Sequence, residues 1–588
     1  MPRVALFVLA CLFSTFAAAT PGPGAFDPLF GNAGITVYNF GTNYDYGRQV
    51  LIQPDGKYLV AGYGSNVGAN LGIGFVARYR RDGGFDSSFN GTGRIVAGDD
   101  SVGASIYGAA LQPDGKVLAA GSEFLPANGG QVRALLWRFN ANGTPDAGFG
   151  TNGVVRISGA TLPWTIFYSV AVRPDGKLVA FGREYDNTFT DFRGAVYVLR
   201  ADGQPDTTFG TGGRVSLQGV HAGLRNMKVA LTGDGRIVLA GYSANASNAE
   251  TAVVLRLNAD GSPDTGYATG GKYLYTQAGL STEFDDFVLA ADGSLTLVGY
   301  AFAGQTRQGF VVRLGPNGAP DAAFGTQGVQ LLPAPVALAS GIAVQPDGKI
   351  VIAGSKLLSD FQALVLRLLP NGQTDTTFGT SGFNQSFGYT RAYGQSIAVD
   401  VDGKLVMAGI ASSGHDDDTL LARLIGVEIT TPVVEFYNST LVHYFITADP
   451  NEAAAIDAGA AGPGWTRTGE TFKSGGPNRV CRFYGNPDIN PVSGLRRGPN
   501  SHFYTIDADE CALVKQDNGW RFESYDFNAW PKTGATTCPT GSVPVYRAYN
   551  ARFTFNDSNH RYTVKQSIYN QMVASGWNGE GVVFCAPS

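Results

Sequence analysis

Short apolar runs bounded by Gly, Asn, Asp or Pro follow one another through most of the chain. The first are Gly34-Ile35-Thr36-Val37-Tyr38, Val50-Leu51-Ile52, Tyr58-Leu59-Val60-Ala61 and Phe75-Val76-Ala77-Arg78-Tyr79. Runs of this kind are strand signals, and no comparably convincing amphipathic helix precedes residue 430. The strands are strung on a recurring turn. Pro54-Asp55-Gly56-Lys57 returns as Pro113-Asp114-Gly115-Lys116, Pro174-Asp175-Gly176-Lys177, Gly233-Asp234-Gly235-Arg236, Ala291-Asp292-Gly293-Ser294, Pro346-Asp347-Gly348-Lys349 and Val401-Asp402-Gly403-Lys404. The period is roughly 60 residues, the signature of a propeller or array.

A second signature alternates with the first: an Asp, three residues later an aromatic, then a Gly-rich turn, as in Asp27-Pro28-Leu29-Phe30-Gly31 and Asp206-Thr207-Thr208-Phe209-Gly210. In the Asp-Gly step the Gly supplies a positive φ and the Asp side chain satisfies nearby backbone, so these repeated residues read as scaffold. Four strands per unit and seven units predict an all-β seven-bladed β-propeller. With the strand before Asp-Gly innermost, Gly34 to Tyr38 becomes the outermost strand of a blade completed by residues 395–425, which closes the ring and hides an edge.

Over residues 26–425 these units resemble the bacterial delta-sixty repeat, through Gln-Pro-Asp-Gly-Lys, the following Val-Ala-Gly strand, Arg-Leu/Phe-x-x-x-Gly and Asp-x-x-Phe-Gly. Tyr267-Ala268 and Ala291-Asp292-Gly293-Ser294 depart from the pattern. The resemblance implies a fold and an exported setting, and a fold alone supplies no function.

Beyond residue 430 a different unit occurs three times. Phe436-Tyr437-Asn438 precedes His443-Tyr444-Phe445, Arg482-Phe483-Tyr484 precedes His502-Phe503-Tyr504, and Tyr546-Arg547-Ala548 precedes His560-Arg561-Tyr562. A short helical stretch follows each (451–458, 509–516 and 565–574), then Gly-Trp at Trp465, Trp520 and Trp577, then Phe472, Phe527 and Phe584. The expectation is a smaller mixed, β-rich pseudo-three-fold domain. Residues 433–587 resemble a domain of unknown function of exported bacterial and fungal proteins, on Ser501-His502-Phe503-Tyr504-Thr505 and Gly576-Trp577-x-x-Glu580-Gly581. That resemblance implies attachment or recognition outside the cytoplasm.

Composition narrows the setting. Arg3, the apolar run from Val4 to Phe16 and Ala17-Ala18-Ala19 read as a signal peptide over 1–19, leaving the propeller at 20–428 and the three-repeat domain at 429–588. No later stretch has the ~20 apolar residues of a transmembrane helix. The predicted location is secreted or periplasmic. A net charge of −5 with only 15% charged residues lacks the basic excess that a nucleic-acid backbone demands. Apart from Cys11, the cysteines are Cys481, Cys511, Cys538 and Cys585. Four cysteines permit three pairings; Cys481–Cys511 with Cys538–Cys585 keeps each bond within one local repeat.

The conserved-looking turns fall on one side of the predicted disc and the variable connections on the other, where binding residues usually sit. That face carries Tyr44, Tyr46, Trp164, Arg183, Tyr185, Phe192, Arg193, Glu283 and Phe284 as ligand-binding candidates, with Arg225 and Arg307 nearby in sequence position. Rings beside arginines and carboxylates suit a sugar or peptide. Asp416-Asp417-Asp418 reads as a solvated acidic loop in preference to a Ca²⁺ site. His443, His502 and His560 occupy equivalent places; converging on an axis they would make a zinc site, but packed structural histidines are the expectation. Phosphate loops, nucleophile elbows and His-Glu-x-x-His are missing from the sequence, and no cofactor is implied.

The reading that results is an exported, non-catalytic recognition or adhesion protein binding an extracellular glycan or protein ligand, its oligomeric state open. The competing reading is a secreted carbohydrate-active hydrolase or lyase using Glu283, Asp285 or Asp286; a third is a structural surface protein.

Overall fold

The computed structural model describes residues 22–588 except 41–43, 66–70, 99–100, 159–161, 187–191, 246, 358–359, 386, 413–415, 427–430, 477, 487–500, 540–541, 553–556 and 588, and the side chain of Asn226. The predicted signal peptide, 1–19, lies outside the described residues. The chain divides into two compact units, one over Pro21–Val427 and one holding Glu428–Ser588.

The larger unit is all-β and propeller-like. Its described strands form seven four-stranded antiparallel sheets, covering residues 45–97, 103–157, 164–216, 224–275, 281–331, 336–384 and 391–424. In the first six, strands pair in chain order; the seventh takes its fourth strand, Ile35–Tyr38, from the start of the chain, where it pairs with Asp417–Leu424. The first strand of each sheet touches the first strand of the next, and Arg391–Val399 of the seventh returns to Asp45–Ile52 of the first. These seven strands therefore line a closed ring.

The second and third strands are covered on both faces by neighbouring sheets, which is why they read as continuous apolar runs. Leu118, Ala120 and Leu136 of the second sheet, for example, pack against Phe167, Leu178 and Ala180 of the third. The two sequence signatures meet in a staple between sheets. Arg78, Arg138, Arg256, Arg313, Arg367 and Arg423 bind Asp86, Asp146, Asp264, Asp321, Asp375 and Asp27 at 2.7–2.9 Å. Each guanidinium also lies over the aromatic of its Asp-x-x-Phe run, 4.2–4.9 Å from the ring centre. Five of them donate to a carbonyl of the next sheet, at Ala141, Ala201, Pro316, Pro370 and Arg81. The basic residue after Asp-Gly reaches the same carboxylate, as Lys57 does with Asp86 at 3.0 Å and Lys404 with Asp27 at 3.0 Å. In the third sheet Val198 replaces the arginine, and among the described residues Asp206 keeps only Lys177, at 2.8 Å, as its cation.

The smaller unit contains three three-stranded sheets of one topology, the first strand of each in the middle. Between second and third strands lie the helices α1 (Pro450–Asp457), α2 (Ala508–Val514) and α3 (Gln566–Ala574). Asp449 and Asp507 cap the first two, accepting from the amides of Asn451 and Glu452 and of Asp509 and Glu510. Phe472, Phe527 and Phe584, one from each third strand, pack in a triangle with ring centres 5.6, 5.7 and 6.4 Å apart. Disulfides join Cys481 to Cys511 and Cys538 to Cys585.

Candidate functional site

Each first strand of the ring is interrupted near its middle. The pairing register skips Arg48, Tyr107, Tyr168, Asp285, Ser340 and Gln395 in six sheets, and is irregular between Arg225 and Lys228 in the fourth. A one-residue bulge of this kind re-aims a side chain. Facing it on the second strand is the glycine of the Val-Ala-Gly pattern: a Cβ at Gly62, Gly121, Gly299, Gly354 or Gly409 would collide with the carbonyl oxygen of Tyr46, Ser105, Glu283, Leu338 or Tyr393. The recurring glycine thus permits the bulge by close backbone approach.

The bulges build a cavity. Its volume is about 290 Å³, and its lining includes Arg48, Tyr107, Asp285, Ser340 and Gln395, the bulged residues of five different sheets, with Gln49, Lys228, Glu283, Tyr300 and Tyr393. Convergence of five sheets locates it within the ring of first strands. The five share a sequence address: Arg48 stands seven residues ahead of Asp55, Tyr107 seven ahead of Asp114, Asp285 seven ahead of Asp292, and the same spacing holds for Ser340 and Gln395. Backbone geometry is common to them while their chemistry differs, so they are the variable readout on a constant frame.

The carboxylates here are unusual. Burial pushes the Asp285 carboxyl up to about 6, against the pull of Arg48 and Lys228 and a hydrogen bond with Ser340. Glu283 is 8% exposed. Burial first, then a hydrogen bond with Glu250 and the charge of Asp285, hold its carboxyl far above the usual range, while Tyr300 donates to its Oε2 at 3.2 Å. Asp286 is committed elsewhere: it pairs with Lys228 at 2.8 Å and accepts from the amides of Phe287 at 2.9 Å and Ile342 at 3.2 Å, tying three sheets. Of the three candidate acids, Glu283 and Asp285 share the cavity and Asp286 does not line it.

Aromatic candidates assemble beside it. Rings of Tyr44, Tyr46, Tyr63, Tyr107 and Tyr168 follow one another at centroid spacings of 5.1, 5.4, 5.6 and 5.2 Å across three sheets. Trp164 and Phe192 flank Tyr185 at 5.5 and 6.1 Å. Arg183 lies over Tyr168, Tyr185 and Phe192, and Arg193 stands across from Glu184 in the ladder. Tyr63, Tyr107, Tyr168, Arg48, Lys228, Tyr300 and Tyr393 were not candidates from sequence. For Arg48, Tyr107 and Tyr168 the signal was the seven-residue spacing to Asp-Gly, which marks the inward position only once the bulge is known.

Several expectations are corrected. Phe284, 1% exposed, packs in the core between the fourth and fifth sheets, 5.8 Å from Phe310, because its position adjoins the bulged Asp285 and points the opposite way. Tyr185 is also buried, with Arg183 5.3 Å over its ring. Asp417 lies on a strand, buried, with Tyr46 Oη donating to it at 3.4 Å and Arg391 paired at 3.2 Å, so it is no part of a solvated loop. Apart from these corrections, each of the three histidines, expected as packed structural residues, has its own side-chain partner. His443 Nε2 meets Asp557 at 2.9 Å, His502 Nε2 meets Glu523 at 3.3 Å, and His560 Nδ1 meets Ser501 at 3.3 Å. Among the described residues no group of three or more His, Cys, Asp or Glu is gathered as metal ligands.

The smaller unit has its own pocket of about 440 Å³, lined by Tyr444, Phe445, Trp465, Tyr484, Ile456, His443, His502 and Glu452 among others. Trp465 is half-buried there, as are Trp520 and Trp577 in their repeats.

Residues 53–89, 112–149, 232–267, 290–324 and 345–378 match the family described as domain of unknown function (DUF5122) beta-propeller, and residues 494–587 match domain of unknown function (DUF5648). The chain carries DUF5122 propeller repeats followed by a DUF5648 domain. No curated protein matches it in sequence. Similar solved structures include a catalytically inactive virginiamycin B lyase from Staphylococcus aureus with quinupristin, at 10% identity over 66% of this chain and 98% of that one, TM-score 0.34. A protein of unknown function from Dyadobacter fermentans is 11% identical over 68% and 100%, TM-score 0.35. The beta-propeller domain of the Trilobed protease from Pyrococcus furiosus is 9% identical over 66% and 94%, TM-score 0.34. At these scores no function passes from them to this chain.

Proposed function

We propose that the chain is an exported, non-catalytic recognition protein that binds a glycan at the mouth of a seven-bladed propeller, the blades being the seven four-stranded sheets. The observation that carries this reading is the set of bulged residues from five sheets lining one polar cavity beside a file of tyrosine rings. A sugar presents apolar C–H faces and many hydroxyls, and rings next to Gln, Ser, Arg and Asp side chains answer both. The three sheets of the smaller unit, read as a pseudo-three-fold module, serve attachment. Two disulfides in that unit fit folding in an oxidising compartment, as the predicted leader at 1–19 requires.

The test is a glycan array with the full chain, followed by titration calorimetry on the hits. Saturable binding weakened about tenfold or more by Tyr107→Ala supports the reading. Failure to bind any glycan overturns it.

Glu283 and Asp285 favour a second reading, a hydrolase or lyase. A carboxyl held protonated at neutral pH beside one that ionises near 6 is an acid and a base set apart by environment. Product release from a bound polysaccharide, abolished by Glu283→Gln with binding retained, would establish that reading in place of the first.

A further inference from the structure

Arginines of the propeller unit differ in the partners that hold them. Those of the staples are held by carboxylates at 2.7–2.9 Å. On the variable side Arg183 and Arg225 have no carboxylate within pairing distance among the described residues. Their companions are rings. The guanidinium carbon of Arg183 lies 5.7, 5.3 and 4.9 Å from the centres of Tyr168, Tyr185 and Phe192, and that of Arg225 lies 4.9 Å from the same Phe192. The Nε of each is buried without a hydrogen-bond partner, and Arg225 reaches only Asn248 Oδ1, at 3.5 Å. Arg307 repeats the arrangement in the fifth sheet, over Tyr300 at 5.7 Å and Phe302 at 5.5 Å.

A chain that closes its scaffold arginines so consistently leaves these two half-buried and unneutralised. Stacking on rings removes part of their water and fixes their planes, so a partly dehydrated charge awaits an anion. The free N–H edges of a planar guanidinium match a carboxylate in two parallel bonds. Arg48, in the adjoining cavity and donating to Gln395 Oε1 at 3.1 Å, adds a third cation on the same side: Arg183, Arg48 and Arg225 all act on the half-buried Tyr168.

Resting on the carbohydrate reading above, we infer that Arg183 and Arg225 bind the carboxylate of a uronic-acid residue, making the ligand an acidic polysaccharide. A uronate pyranose offers what this corner offers places for, an anionic carboxylate on a ring whose C–H face packs on Tyr and Phe. Across the mouth, burial and a hydrogen bond with Glu250 hold the Glu283 carboxyl far above the usual range, which lowers the negative charge such a ligand would meet.

The experiment is titration calorimetry of the full chain with tetragalacturonate, tetramannuronate, the methyl ester of each, neutral oligosaccharides and dextran sulfate. The expected result is that one free uronate binds at least tenfold tighter than its ester, and that Arg183→Met and Arg225→Met each abolish that preference. Arg183→Lys is expected to restore less than half of it, since an ammonium lacks the fork; normal circular dichroism accompanies each variant. Equal affinity for acid and ester, or a preference that survives both substitutions, overturns the inference while the glycan reading stands. Tighter binding of dextran sulfate than of either uronate overturns the carboxylate assignment. Binding of none of these sugars overturns both.

Discussion

At the scale of single residues, the most consequential arrangement is the arginine staple, because each buried guanidinium depends on one carboxylate. Arg367 is 1% exposed and Asp375 3%. Asp375→Ala would leave the arginine charged, buried and unpaired, with an expected loss of about 3 kcal/mol. The third sheet is an internal control: Asp206→Ala there orphans only the more exposed Lys177, with an expected loss of about 1 kcal/mol, checked by thermal unfolding of both variants. The pH dependence follows the same bond. Burial opposes ionisation of Asp375, but hydrogen bonds from Thr377, then Lys349 and Arg367, outweigh it and hold the carboxyl at about 2. A carboxylate depressed below its unfolded value contributes stability that is complete above about pH 4 and disappears as pH falls toward 2. The deficit of Asp375→Ala should therefore shrink over that interval; a constant deficit would disprove an ionic origin.

At the scale of elements, the bulged first strand converts a uniform repeat into a site. Gly299 cannot carry a side chain without striking the carbonyl of Glu283, so Gly299→Ala must flatten or displace the bulge that presents Asp285. The expected loss is about 3 kcal/mol of stability, together with ligand affinity. Gly219, which has nothing within 4 Å of a built Cβ, should accept alanine with a change of about 0.5 kcal/mol or less. Equal melting temperatures for the two variants would show that the bulge does not need its glycine. The strands themselves and all three short helices of the smaller unit were legible beforehand, the strands from punctuated apolar runs and the helices from the stretch that follows each histidine motif in the three repeats. The bulges were not, since a one-residue register skip leaves the apolar pattern of the rest of the strand intact.

For the whole molecule, the two units are held by different means. The propeller unit closes through its own first strand, reinforced where Asp27 takes the seventh-sheet arginine, Arg423, at 2.8 Å. The smaller unit is cross-linked over sequence separations of 30 and 47 residues. Loops of that size are worth about 3–4 kcal/mol each in restricted unfolded-state freedom. Calorimetry of the full chain with and without a reductant should accordingly lower one transition and leave the other in place. A shift of every transition by the same amount would mean the units unfold together.

What the sequence determined by itself was what is enforced over a few residues and repeated: the Asp-Gly turns, the strand run between them and the period; the disulfide pairing it favoured among three, on the ground of local repeats, is the one the structure has. Phe284 and Asp285 mark where that reach ended, for adjacent residues on one strand were given one face, and the bulge sends one into the core and the other into the cavity. Only the tertiary structure decided which of the seven sheets' variable positions meet, because residues roughly 60 positions apart converge through packing of sheet against sheet. The same packing separated arginines closed by a carboxylate from Arg183 and Arg225, a distinction of partners across space that no spacing along the chain encodes.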